Sequence, residues 1–232
     1  MRTILGAVSF LTTLPVRSKP VPLGRAAILF PLVGAAIGAL GGSIFIDARR
    51  YLPWWLAALL TVVFWVGISR IPLEDGALNV VDVGLASSKS RRIGAFGMIA
   101  IALSFLARWQ ALDDLTTAGV WEVMIASQAV PRAAMVALAW MSRPSGTKLG
   151  FEISSTLSTW AAIAAIAQGV AAALLCGLRP GILILAGSYL VLRGAQMYFY
   201  RRDGGVQADS LGVTEQILEI YILVLFACRA CS

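Results

Sequence analysis

Two short stretches hold seven of the chain's twelve acidic residues: Glu74, Asp75 and Asp82 in one, and Asp203, Asp209, Glu215 and Glu219 in the other. The first reads Glu74-Asp75-Gly76-Ala77-Leu78-Asn79-Val80-Val81-Asp82. If helical, it sets Asp75, Asn79 and Asp82 at i, i+4 and i+7, on one face. Three oxygen-bearing side chains on one face suit a hard cation such as Mg²⁺, which takes oxygen ligands and often bridges to substrate phosphates. A solvated loop beside a membrane has the same composition, so this stretch alone leaves both readings open. Lys89, Arg91 and Arg92 follow, leading into Ile93-Gly94-Ala95-Phe96-Gly97. Basic residues before a glycine-containing helix start can hold a phosphate, and they can equally anchor a cytoplasmic loop.

The second stretch runs from Gly204-Gly205 through Asp209 to Glu215 and Glu219. The glycine pair permits a tight backbone turn, and Asp209 falls where it would cap or approach a helix start. Glu215 and Glu219 are one helical turn apart at the mouth of the last apolar segment. Acids entering an apolar helix mark a functional site by default, because an unpartnered buried carboxylate is penalised by several kcal/mol. Arg132, in Gln128-Ala129-Val130-Pro131-Arg132, is the complementary oddity. A guanidinium inside an apolar span costs about 3 kcal/mol on insertion scales unless it meets a partner or a wet cavity. A phosphate or one of the clustered carboxylates would be such a partner.

The elements that must position these residues follow from composition. Of 232 residues, 59% are hydrophobic and 13% charged, with a mean hydropathy of +0.81. Soluble domains run near 45–50% apolar and a quarter charged. Most soluble folds and disorder are excluded, leaving an all-α, polytopic helical membrane protein, a single domain over 1–232. Seven apolar segments can be read: Ala26–Ile46, Leu52–Ile71, Ile93–Leu112, Val120–Met141, Leu157–Leu178, Pro180–Phe199 and Val213–Cys228, giving about six to seven transmembrane helices. Gly34-x-x-x-Gly38 in the first suits close helix contact, and Trp54 and Trp55 fit an interfacial aromatic belt.

Charge supplies an orientation. Twelve Lys and Arg fall in the N-terminal segment and the alternate loops on its side. Five (Arg49, Arg50, Arg108, Arg179 and Arg229) fall on the other side, so the N-terminus is expected in the cytoplasm. The net charge of +7 is then a topological signal, and no nucleic-acid partner is implied. The chain has no histidine, which excludes a His-based metal site or general base. Cys176, Cys228 and Cys231 lack the context of a zinc or redox motif. No cleavable leader is expected, since Pro15 interrupts the first apolar run.

Taken in order along the chain, these features resemble the cobalamin synthases, the adenosylcobinamide-GDP ribazoletransferases. Phe10-Leu11-Thr12-Thr13-Leu14-Pro15-Val16 and Phe30-Pro31-Leu32-Val33-Gly34 with Gly38 are similar to that family's F-L-T-x-L-P-V and F-P-L-V-G-x-x-x-G. Glu74–Asp82 resembles its E-D-G-L-A-D-T-A-D, Arg92–Gly97 its R-I-G-x-x-G, and Arg132 falls at its S-R. Gly204–Glu219 resembles G-G-x-T-G-D-x-L-G-A-x-x-E-x-x-E, the most specific of the matches. Asn79 stands where the family has an aspartate, Pro131 replaces the serine before Arg132, and the stretch 83–90 is shortened.

The resemblance implies transfer of the phosphoryl-cobinamide moiety of adenosylcobinamide-GDP to α-ribazole or its 5′-phosphate, with release of GMP. It implies Mg²⁺ held by Asp75, Asp82 and Asp209. Phosphate would be held by Arg92 and Arg132 with Gly204 and Gly205, while Glu215 or Glu219 would serve the metal or activate the ribazole hydroxyl. The protein would sit in a bacterial inner membrane with its site cytoplasmic, alone, as a homo-oligomer or with other corrinoid-pathway proteins. A weakened or inactive member acting as a membrane partner, or a small transporter, are the alternatives.

Overall fold

The computed structural model describes residues 2–14, 23–69, 95–115, 119–142, 156–205 and 208–228. Among the described residues, each of the seven apolar segments contains a helix. After a short amphipathic α1 (Arg2–Leu11) and a single turn α2 (Leu23–Ala26) with a 3-10 turn (Ala27–Leu29) come α3 (Phe30–Ala48) and α4 (Trp54–Ile68). They are followed by α5 (Ala95–Asp113), α6 (Val120–Met141), α7 (Thr159–Leu175), α8 (Leu178–Asp203) and α9 (Ala208–Ala227). Among the described residues the only extended pairing is one isolated bridge, Thr12 with Ser69.

Among the described residues, four helical stretches are long and apolar enough to cross a bilayer: Gly24–Ala48, Val120–Met141, Leu178–Arg202 and Ser210–Ala227. Trp54–Ile68 and Thr159–Leu175 are apolar but shorter. The chain is a multi-pass helical membrane protein, and its many exposed leucines, isoleucines and valines, such as Leu103, Leu190 and Val63, face outward as lipid-facing residues do.

Local chemistry sets the helix limits. Ser158 caps α7, its hydroxyl oxygen accepting from the Ala161 amide at 3.2 Å. Pro180 lies in the first turn of α8, where its missing N–H forfeits no helix bond. Gly204 ends α8 in the left-handed conformation at φ 69°, the tight turn that the glycine pair was expected to make. The chain re-enters a helix at Ala208, five residues before the expected start of the last segment, so Glu215 and Glu219 lie inside α9 and not at its mouth.

The arrangement is built around α6, which is buried over nearly its whole length. Its alanines, five of them along one side (Ala126, Ala129, Ala133, Ala134 and Ala137), leave that side shallow, and α3, α7 and α9 pack directly against the helix. Helices α4 and α5 lie beside α3 and α9, while α8 packs on α7 and α9. The α3–α6 contact uses the expected glycine face. A Cβ at Gly38 would meet the Met124 carbonyl oxygen, and one at Gly34 would meet the Gln128 carbonyl oxygen and the Arg132 Cδ at 2.7 Å. The N-terminal segment is pinned to the far end of α4: the Thr13 amide donates to the Ile68 carbonyl and its hydroxyl to the Gly67 carbonyl, both at 2.9 Å.

Gly38→Ala is expected to force α3 away from α6 and destabilise the protein by about 1–3 kcal/mol. Gly67→Ala, where an added methyl meets nothing within 4 Å, should be neutral or gain up to about 1 kcal/mol from helix propensity. Thermal unfolding in detergent checks the pair.

Candidate functional site

The i, i+4 spacing of Glu215 and Glu219 puts both carboxylates on one side of α9. Both are buried, at 4% and 8% exposure. Each meets an arginine from a different helix. Glu215 Oε1 lies 3.2 Å from Arg132 Nη2 of α6, and Glu219 Oε1 lies 3.3 Å from Arg108 Nε of α5. Four formal charges thus cancel in two pairs across three helices.

Arg132 is held tightly. Its Nη1 donates to the Gln128 carbonyl at 2.7 Å and to Gln128 Oε1 at 2.8 Å, so one turn of α6 and Glu215 together surround the guanidinium. Pro131, inside the helix, offers no N–H to the carbonyl of Ser127, next to Gln128, and so loosens the turn in which Arg132 folds back. Gly34 completes the enclosure, because any larger residue there would occupy the space of the arginine stem. The expectation that a clustered carboxylate would partner Arg132 is met by Glu215.

Arg108 was counted from sequence as a loop charge. It lies instead within α5, 5% exposed, against Glu219. The physical reason is the one already applied to Arg132: a charge inside an apolar helix needs a partner, and Arg108 falls inside the segment Ile93–Leu112. Removing it leaves four basic residues on the side expected to face outward. Arg108 and both glutamates border a small cavity of about 20 Å³ together with Trp65, Val66, Ser69 and Gln216. Trp65 is fixed there by its indole N–H, which donates to the Ile37 carbonyl at 3.4 Å. Ser69 caps α4 and is the described residue from which the sequence leads on to Glu74 and Asp75.

The structure therefore brings Glu215, Glu219 and Arg132 together and adds Arg108, Gln128 and Gln216. Gly204 and Gly205 form the α8–α9 turn. Asp75, Asp82 and Arg92 lie outside the described residues; Asp209 is the second residue of α9, and its side chain also lies outside them. Among the described residues no group of three or more Asp, Glu, Cys or His could hold a metal ion.

Breaking one buried pair leaves its other charge stranded. Arg132→Met is expected to cost about 3–5 kcal/mol, and pairing it with Glu215→Leu should recover most of that loss. Unfolding temperatures of the single and double variants test this; a double variant no more stable than the single would contradict it.

The model of one family, described as cobalamin-5-phosphate synthase, matches residues 3–227 of the chain. Curated relatives agree along nearly the whole length. The adenosylcobinamide-GDP ribazoletransferase of Geotalea daltonii is 32% identical, covering 97% of this chain and 96% of its own. That of Ralstonia pickettii is 30% identical, covering 94% and 91%, and that of Bradyrhizobium diazoefficiens is 32% identical, covering 95% and 91%. No solved structure matches significantly. With a family model spanning almost every residue and relatives of this similarity end to end, the chain belongs to the cobalamin-5-phosphate synthase family.

Proposed function

We propose that the protein transfers the phosphoryl-cobinamide moiety of adenosylcobinamide-GDP to α-ribazole or its 5′-phosphate, releasing GMP. The observation that carries this reading is the end-to-end similarity to relatives named for that reaction. In the transfer, the ribazole hydroxyl oxygen forms a bond to the cobinamide-side phosphorus. The bond from that phosphorus to the bridging oxygen breaks, and GMP departs with the electron pair.

The reaction asks three things of the chain: cationic groups for the pyrophosphate, an acceptor for the hydroxyl proton, and a site in which charge is not dispersed by water. Arg132, with Arg92 and the Gly204-Gly205 turn, would take the phosphates. Glu219 or Glu215 would accept the proton, or ligate the metal, from a buried position four residues from the other. The proposed metal ligands Asp75, Asp82 and Asp209 offer only carboxylate oxygen, and the chain has no histidine to compete, which fits Mg²⁺. When bound, Mg²⁺ would offset the charge that builds on the pyrophosphate. Asn79 cannot contribute the carboxylate that its family position has, so a slower enzyme is part of this reading.

The same reading sets the site on the cytoplasmic face of the inner membrane. Its support is the charge asymmetry, which sharpens to twelve against four once Arg108 is recognised as a helix residue.

Purified protein in detergent should release GMP when given both substrates. EDTA should abolish the release and Mg²⁺ restore it. Glu219→Gln should lower kcat by about a hundredfold or more if that carboxylate takes the proton. Asp209→Asn should raise the Mg²⁺ requirement. Absence of GMP release at any Mg²⁺ concentration would overturn the proposal.

A further inference from the structure

The two buried arginines are not equivalent. Arg132 has both ends of its guanidinium engaged, by Gln128 at 2.7 and 2.8 Å and by Glu215 at 3.2 Å. The Nε of neither arginine makes a hydrogen bond, but Arg108, among the described residues, has a single ion pair, Glu219 Oε1 at 3.3 Å from Nε, and no counterpart to the Gln128 bonds that hold Arg132. A guanidinium carries five N–H donors in a planar fork, and a buried one with donors unmet is costly. A single carboxylate oxygen beside Nε meets little of that demand.

A phosphate or pyrophosphate oxyanion meets it better, because it presents two acceptors in parallel and more charge than a carboxylate. The cavity that Arg108 borders, about 20 Å³, has room for a single water. An oxyanion therefore reaches Arg108 by displacing the Glu219 carboxylate and not by settling beside it. The rest of the wall is formed by Trp65, Val66, Ser69 and Gln216 with the Glu215 and Glu219 carboxylates, so Arg108 is the one cation among the described lining residues and Glu219 is the anion that an incoming one replaces on it.

We propose that Arg108 is an anion-binding residue of the site, and that a phosphate oxygen of the nucleotide substrate replaces Glu219 on it. This rests on the transferase reading above and adds a residue and an exchange to it. Binding of substrate then frees the Glu219 carboxylate next to the phosphates. No bond is made or broken in the exchange; one anion leaves the guanidinium as another arrives.

The test uses inorganic pyrophosphate on the full chain in phospholipid-free detergent, with an apparent Kd taken from the rise in unfolding temperature. Pyrophosphate is expected to stabilise the wild type. Arg108→Gln should weaken it by at least about tenfold, with Arg108→Lys recovering part of the loss. Glu219→Gln, which removes the competing carboxylate, should bind pyrophosphate several-fold more tightly than wild type. A structural pair with no role in binding gives the opposite sign, because Glu219→Gln would then loosen the site. Equal affinity in wild type and Arg108→Gln, weaker binding in Glu219→Gln, or no stabilisation of the wild type overturns the proposal. Equal protection by phosphatidylglycerol, lost in Arg108→Gln, would assign the residue to a lipid headgroup and overturn it as well. If Arg108→Gln does not fold, the comparison of Glu219→Gln with wild type decides alone. The predicted pattern without GMP release would overturn the transferase reading only; GMP release without the pattern would overturn the exchange only.

Discussion

Charge inside an apolar helix is the constraint on which the rest of this structure depends. Glu215 and Glu219 lie in the interior of α9, where an isolated carboxylate would be prohibitive, and they fix that helix by demanding cations from two directions. Arg132 on α6 answers one and Arg108 on α5 the other. Once both pairs are satisfied, the rotation of α9 about its axis is set, because turning it would strand four charges at once. Function enters through the same feature, since groups poised in a site of low polarity act more strongly on a charged substrate than they would in water.

The apolar architecture serves this arrangement. The alanine-rich side of α6 helps α3, α7 and α9 to approach it together. Gly34 and Gly38 let α3 come close enough for the Arg132 stem to be enclosed by backbone. The threonine pair at the end of α1 holds the terminus of α4, and that terminus carries Ser69 and Trp65 to the wall of the cavity. Among the described residues, the family-like segments around Gly34, Arg132 and Glu215 to Glu219 are the ones that form the Arg132–Glu215 pair and its enclosure.

Much of this was legible in the sequence. Long apolar runs marked the helices α3 to α9, because hydropathy over some twenty residues is a strong signal, though only four helical stretches among the described residues are long and apolar enough to span. Gly34-x-x-x-Gly38 announced a close contact, Gly204 a tight turn, and the depth of Arg132 a need for a partner. Other parts were not. The start of α9 was set five residues too late, since Asp209 and Ser210 are polar and hydropathy marks the apolar run, not the helix. Arg108 escaped because a residue near the end of a segment is easily counted with the following loop. The spacing of Glu215 and Glu219 shows that they share a face, but which helix supplies each cation is decided by packing between distant segments. The remaining candidate ligands, Asp75 and Asp82, lie outside the described residues, so their expected convergence with Asp209 stands as a proposal.

A charge swap tests the central claim most directly. Arg108→Glu and Glu219→Arg are each expected to put two like charges in contact inside the helices and to lower the unfolding temperature sharply. Combined in one chain, they restore an opposite pair, and the double variant is predicted to unfold well above either single variant. A double variant no more stable than the worse single one would show that the two side chains do not meet, and would contradict the account.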